Sequence, residues 1–218
     1  GNLTVEILKK NPKKIILIEK DNNLVDLLQN KFDRDVKIIN EDVLKVNESL
    51  LDDQNLIVFG NLPYNISTEI LSKWILNLSQ KKIWFDCLVL MFQKEVADRI
   101  IAKTNTKNYG RLSILSNWRM KIDKIFDIEP ESFNPVPKVR STLLVLVPKN
   151  NFYNLKDPKN LEYITSIFFS QRRKMIKKPL KILFKNYEEI SKKLSLDLNL
   201  RPQNLDHITY YKICELYE

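Results

Sequence analysis

The sequence predicts an α/β fold in which an open, mainly parallel sheet is flanked by helices and followed by a small all-helical domain. Three observations carry this. Short apolar runs alternate with stretches of helical period through the first two-thirds of the chain, as crossover helices between parallel strands require. Three successive runs are each followed by a polar residue, Glu19, Asp42 and Asn61, at the place where open parallel sheets bind ligands. From Leu161 onward the period is helical to the end.

Residues 15–18 form the first strand. A helical stripe follows at Leu24, Val25, Leu27, Leu28 and Phe32, then strands at 36–39 and 56–59. Ser67 is a good N-cap for a helix whose apolar face is Ile70, Leu71, Trp74, Ile75 and Leu78. The run 87–92 is the next strand. Residues 95–103 and 111–118 read as helices, and 121–128 and 141–147 as strands joined by a proline-containing connection, giving an antiparallel edge. Residues 149–159, rich in Asn, Lys and Pro, read as a linker between a domain at 1–148 and a helical domain at 160–218 interrupted at Pro179 and Pro202.

Composition narrows the function. The 36 Lys and Arg exceed the 27 Asp and Glu by nine, which favours a polyanionic partner such as nucleic acid. No apolar run reaches the length of a spanning helix, and the N-terminus has no signal-peptide core, so no membrane role is expected. Cys87 and Cys214 are isolated, which points to a reducing compartment, and with His207 the only histidine no metal site is expected. The scarcity of glycine beside abundant Lys, Asn and Ile reflects AT-rich coding, so the clustering of the lysines carries more than their number.

The segment Asn61-Leu62-Pro63-Tyr64-Asn65-Ile66-Ser67, directly after a strand and Gly60, suits methylation of an exocyclic adenine amine. Such an amine is a poor nucleophile because its lone pair is delocalised into the ring. Acceptors that favour a pyramidal nitrogen lower the barrier, and an Asn amide oxygen plus the Leu62 carbonyl supply two. Pro63 restricts the residue before it and so aims that carbonyl. Tyr64 offers a flat face for the base. The alternative is a plain strand-to-helix turn. Glu19 is placed to accept both hydroxyls of a ribose, and Asp42 to accept from an adenine amine, although a lone acid at a strand end is commonly a solvated cap.

These residues stand in a series with Ile18-Glu19-Lys20-Asp21, Glu41-Asp42-Val43-Leu44-Lys45, Gln93-Lys94-Glu95-Val96-Ala97-Asp98-Arg99-Ile100, Tyr109-Gly110-Arg111-Leu112-Ser113, Phe133-Asn134-Pro135-Val136-Pro137-Lys138-Val139 and Phe169-Ser170-Gln171-Arg172-Arg173-Lys174. In this order, over nearly the whole chain, they resemble the ribosomal RNA adenine dimethyltransferases, and among them the type acting on the small subunit. The resemblance implies a Rossmann-like class I methyltransferase sheet, S-adenosylmethionine as donor, and N6,N6-dimethylation of two adjacent adenosines in a 3′-terminal hairpin. It implies that Glu19, Lys20, Asp42, Val43 and Asn61 bind the cofactor. Asn61, Leu62, Pro63 and Tyr64 would form the catalytic loop, and Phe133 the other face of the base pocket. The chain opens at Gly1-Asn2-Leu3-Thr4, which reads as the end of the family's Gly-rich loop. The first strand and most of that loop are then lacking, and weak donor binding is expected. Glu41 and Arg140 stand where relatives carry Gly and Asp.

The domain at 160–218 is expected to bind RNA. Arg172, Arg173, Lys174, Lys178 and Lys181 fall in one stretch read as helical, next to Phe168 and Phe169, and would track phosphates. Arg111, Lys138 and Arg140 would extend the basic surface towards the catalytic loop. The partner expected is small-subunit rRNA within a pre-ribosomal particle, met by a monomer in the bacterial cytoplasm or an organelle. The competing readings are the large-subunit rRNA methyltransferase of macrolide resistance and a nucleic-acid-binding transcription factor on the same fold.

Overall fold

The structure, a computed structural model, describes residues 1–32, 36–48, 51, 56–78 and 83–218, which include every candidate site residue. Two compact units are present, Gly1–Asp53 and Gln54–Glu218.

In the first unit, α1 (Asn2–Leu8) precedes β1 (Ile15–Glu19), α2 (Asn22–Lys31) and β2 (Val36–Asn40). The strands pair in parallel from Ile15 with Val36 to Glu19 with Asn40, so this is a strand-helix-strand unit. Asp21 starts α2 by accepting from the otherwise unpaired amides of Asn23 (2.8 Å) and Leu24 (3.2 Å). Of the predicted α2 stripe only Val25 is buried, while Leu24 and Leu27 stay exposed. A two-stranded sheet is too narrow to cover so wide an apolar face. Helix α1 was not foreseen, because residues 1–4 read as a loop.

The second unit runs β3 (Ile57–Asn61), α3 (Ser67–Asn77), β4 (Cys87–Gln93), α4 (Lys94–Ile100), α5 (Arg111–Arg119), β5 (Met120–Ile128), β6 (Ser141–Pro148), α6 (Pro158–Ser170), α7 (Lys177–Leu183), α8 (Tyr187–Lys193) and α9 (His207–Tyr217). Its sheet order is β3-β4-β6-β5, parallel between β3 and β4 and antiparallel thereafter. The antiparallel edge is as the sequence predicts. As an interior strand, β4 is apolar almost throughout, with Leu88, Leu90 and Phe92 fully buried. Ile70, Leu71, Trp74, Ile75 and Leu78 of the α3 stripe are all buried, and each such side chain contributes roughly 1.5–3 kcal/mol. These mixed sheets and helices form the Rossmann-like α/β class that the sequence predicts.

Three local expectations are corrected. Ile66, not Ser67, is the N-cap of α3; Ser67 is its first residue, and its hydroxyl donates to the Tyr64 carbonyl (3.1 Å). Pro179 does not interrupt a helix, because it sits in the first turn of α7, where a missing N–H costs no intrahelical bond. The run 171–176 is a turn between α6 and α7, closed by Lys174 N to Gln171 O (2.8 Å), so helical spacing does not order its basic side chains.

The segment between β6 and α6 is firmly bonded. Trp118 Nε1 donates to Tyr153 O (2.7 Å), and the amides of Lys156 and Asp157 donate to the Glu218 carboxylate (2.8 and 2.9 Å). Next to it lies an arginine the sequence did not single out. Arg119 is buried, donates to the carbonyls of Ile75 (2.7 Å) and Leu76 (2.8 Å) in the last turn of α3, and lies 3.8 Å from the Trp118 ring and 4.8 Å from that of Phe152. Burial pulls its pKa down to about 10, so it remains a cation facing the negative end of the helix.

Gly60 is required by close approach. A Cβ there would lie 2.7 Å from Leu90 Cδ2 and 3.0 Å from Leu62 Cδ2. Gly60→Ala is expected to cost about 1–3 kcal/mol, read as a lower urea midpoint at unchanged slope. An unchanged midpoint would mean that both leucines yield freely.

Candidate functional site

In the first unit, β1 and β2 end side by side, with Glu19 opposite Asn40. Glu19 Oε1 accepts from the amides of Lys20 (2.8 Å) and Asp21 (2.9 Å), which turns the chain from β1 into α2. Asp42, two residues beyond β2, accepts from the Leu44 amide (3.0 Å) and from Lys20 Nζ (3.2 Å). The Leu44 amide first, and the Lys20 ammonium second, hold the Asp42 carboxyl below the usual carboxylate range. Two carboxylate acceptors thus stand at neighbouring strand ends. Lys20 serves as the partner of Asp42, and Val43 opens the turn that carries Leu44.

In the second unit, register brings four strand ends to one edge. Asn61 pairs with Met91, and Ser141 pairs with both Gln93 and Ile128. Residues 61–67 and the loop 129–140 therefore leave the sheet together. Asn61 is exposed, and neither its amide nor the Leu62 carbonyl has a partner among the described residues. Pro63 O accepts from Ile66 N (3.1 Å), closing the turn that carries Tyr64. The Tyr64 hydroxyl meets the Ser141 hydroxyl at 2.7 Å. Phe133, half-buried, follows the 3-10 turn Pro130–Ser132 and donates its amide to Pro130 O (3.1 Å).

The base of that loop is clamped by contacts the sequence reading did not foresee. Lys94 N donates to Arg140 O (2.9 Å), and Arg140 Nε donates to Glu129 across the loop (2.8 Å). Lys94 Nζ reaches Asp98 (3.4 Å) and Asp127 (3.3 Å); Asp127 also accepts from Lys124 (2.9 Å) and the Thr142 hydroxyl (2.7 Å). The bond to Asp127 above all raises the Lys94 pKa, while Lys124 first and Thr142 second hold Asp127 far below its ordinary value. The segment 93–100 carries Lys94 and Asp98, but their partners Lys124, Asp127 and Thr142 lie on other elements, so the sequence does not show the cluster as one.

The predicted RNA contacts divide. Lys138, Arg173 and Lys174 are exposed and without an ion pair among the described residues. Arg140 is committed to Glu129. Arg172 braces the fold through Thr106 O (3.1 Å) and Gln203 (3.2 Å), Lys178 donates to Gln171 (2.9 Å), and Lys181 lies 4.9 Å from the Tyr187 ring. Arg111 and Arg172, separated in sequence, share a cleft of about 610 Å³ with Arg99 and Lys107, two cations that the sequence reading did not select. Glu95 and Glu162 also line it, and Arg99 pairs with Glu95.

The ribosomal RNA adenine dimethylase family model matches residues 1–218. The chain is similar to the ribosomal RNA small subunit methyltransferase A of Pelagibacter ubique (strain HTCC1062), with 63% identity over 218 residues, covering 100% of this chain and 83% of that protein. Among solved structures it is similar to a dimethyladenosine transferase from Plasmodium falciparum, with TM-score 0.74 and 26% identity, covering 98% of this chain and 84% of that one. It is also similar to the 23S rRNA methyltransferase ErmE, with TM-score 0.61 and 18% identity, covering 93% and 82%. The last is a likeness of fold.

A folded-state pKa held below the unfolded value of 3.8 means that Asp127 stabilises the fold fully above that value and progressively less as pH falls below it. Asp127→Asn is expected to lower the melting temperature at neutral pH, with the gap to the parent protein narrowing towards about pH 3. A gap that stays constant with pH would show that the charge contributes nothing.

Proposed function

Since the chain belongs to the ribosomal RNA adenine dimethylase family, we propose that it transfers methyl groups from S-adenosylmethionine to N6 of two adjacent adenosines of small-subunit rRNA. The observation that carries this reading is the loop after β3, where the Asn61 amide and the Leu62 carbonyl stand unpaired beside the anchored ring of Tyr64. The 63% identity to a small-subunit enzyme, against 18% to ErmE, supports the small subunit over the large.

The acceptors of the first unit suit the nucleoside part of the donor. Glu19 Oε1 is occupied by two amides, which leaves its second oxygen for the ribose hydroxyls. Asp42, kept ionised, accepts from the adenine amine, with Val43 and Lys20 beside it. When bound, the donor supplies an electrophilic methyl group on a sulfonium.

The protein's task is then to present the target nitrogen. Asn61 Oδ1 and Leu62 O accept the two N6 hydrogens, which draws the lone pair out of conjugation with the ring. Pro63 aims the Leu62 carbonyl, and Tyr64 and Phe133 hold the base out of its stack. One proton leaves N6 with each methyl added, so only one N6 hydrogen remains for the second transfer. Positioning and aimed acceptors supply the catalysis, with no covalent intermediate on the enzyme.

Lys138, Arg173, Lys174 and Arg111 contact phosphates, and Arg140, Arg172, Lys178 and Lys181 shape the surface around them. The helical region 160–218 carries most of this surface. The substrate is the rRNA of a pre-ribosomal particle, met by a monomer in the bacterial cytoplasm.

Labelled S-adenosylmethionine with unmethylated small-subunit particles, or with protein-free large-subunit rRNA, tests the assignment. Dimethyladenosine is expected in the small-subunit RNA alone, and Asn61→Ala is expected to lower the rate by about 100-fold or more. Label in the large-subunit RNA instead would overturn the reading. Glu19→Ala is expected to raise the donor KM by roughly 10-fold or more, the loss of charge-assisted hydrogen bonds.

A further inference from the structure

We infer that Ser141 is a positioning residue for this reaction: its hydroxyl locks the ring of Tyr64 and ties it to the strand that the Phe133 loop enters. The inference rests on the methyltransferase reading of Tyr64 given above. Ser141 is fully buried at the start of β6, in a strand that continues Thr-Leu-Leu-Val-Leu-Val. A buried hydroxyl is costly there unless it is bonded, whereas Ala would fit an apolar strand without that demand. The bond it makes is to Tyr64, at 2.7 Å.

Tyr64 is thereby held at both ends. Its carbonyl accepts from the Ser67 hydroxyl, which fixes its backbone, and its phenol meets Ser141, so swinging the ring about the Cα–Cβ bond breaks the bond to Ser141. Ser141 is itself immobile, being paired with Gln93 on one side and Ile128 on the other. The preceding residue, Arg140, is clamped through its carbonyl by Lys94 N and through its guanidinium by Glu129. The ring of Tyr64 is therefore tethered through its hydroxyl to the frame that also carries the loop of Phe133. For a reaction that works by placing a flat base against aimed acceptors, a ring free to swing lowers the fraction of bound base in the reactive pose.

Ser141→Ala and Tyr64→Phe each remove the bond and keep the aromatic ring, so the two single variants and their double are the test. With unmethylated small-subunit particles, each single variant is expected to lose about 10-fold in kcat/KM at unchanged donor KM, and the double to lose no more than the worse single. Ser141→Ala turning over like the parent protein would overturn the inference, as would multiplicative losses in the double. Loss of melting temperature, donor affinity and rate together would also overturn it, by showing a structural role only. A parent protein that labels no small-subunit RNA would instead sink the proposed function. The ring is then judged separately, by 13C relaxation of Tyr64: faster ring motion in Ser141→Ala sustains the lock, and identical motion in both proteins refutes it.

Discussion

The register of β4 against its two neighbours decides where chemistry can be built in the second unit. Its parallel pairing with β3 sends Asn61 and Gln93 to the same edge, and its antiparallel pairing with β6 brings the start of that strand, Ser141, to the same place. A slip of one residue on either side would turn every side chain to the other face. Burial on both sides of β4 makes such a slip expensive, so the apolar core fixes the positions of polar groups that are not part of it. Gly60 belongs to the same constraint, because a Cβ there would push Leu90 Cδ2, 2.7 Å away, out of place.

On that edge, polar groups divide by how fully they are already bonded. Asn61 and Leu62 keep open acceptors, while Ser141 is bonded to Tyr64, and Lys94 and Asp127 are bonded to one another and to their neighbours. A bonded network is rigid, since each member would lose a bond by moving. In the proposed reaction the open acceptors would gain from that rigidity, holding their geometry before a substrate arrives. In the first unit Lys20 and the Leu44 amide keep Asp42 ionised, and two amides orient Glu19, so the acceptors there are set by the same means.

Much of this was legible in the sequence, and the limits follow physical lines. Strands β1 to β4 and β6 showed as short apolar runs, whereas β5 is interleaved with charge and mostly exposed, and the loop at Asn61 showed because its residue types are rare in that combination. The placing of Ser67 as N-cap failed because composition does not tell the cap from the first helical residue, and a hydroxyl at either can bond a nearby carbonyl. The basic run 171–176 read as helix because Lys and Arg have good helical propensity, yet the chain turns there so that Ile176 can bond Leu200 O. Arg172 and Lys178 looked like free phosphate contacts because charge is visible in a sequence and its partners are not. Ser141 and Arg119 were invisible for the same reason, their meaning lying in residues 77 and 44 positions away.

Arg119 has one more consequence. Its guanidinium is held by two carbonyl dipoles and two aromatic faces rather than by a carboxylate, with Nε left unpartnered among the described residues, inside the protein where dissolved ions do not reach. The exposed cations Lys138, Arg173 and Lys174 face water, and any hold they have on a polyanion weakens steeply as salt displaces it. Ionic strength therefore acts on the two kinds of positive charge in this molecule very differently: a protein in rising salt would let go of nucleic acid long before it loosened the helix that Arg119 fastens.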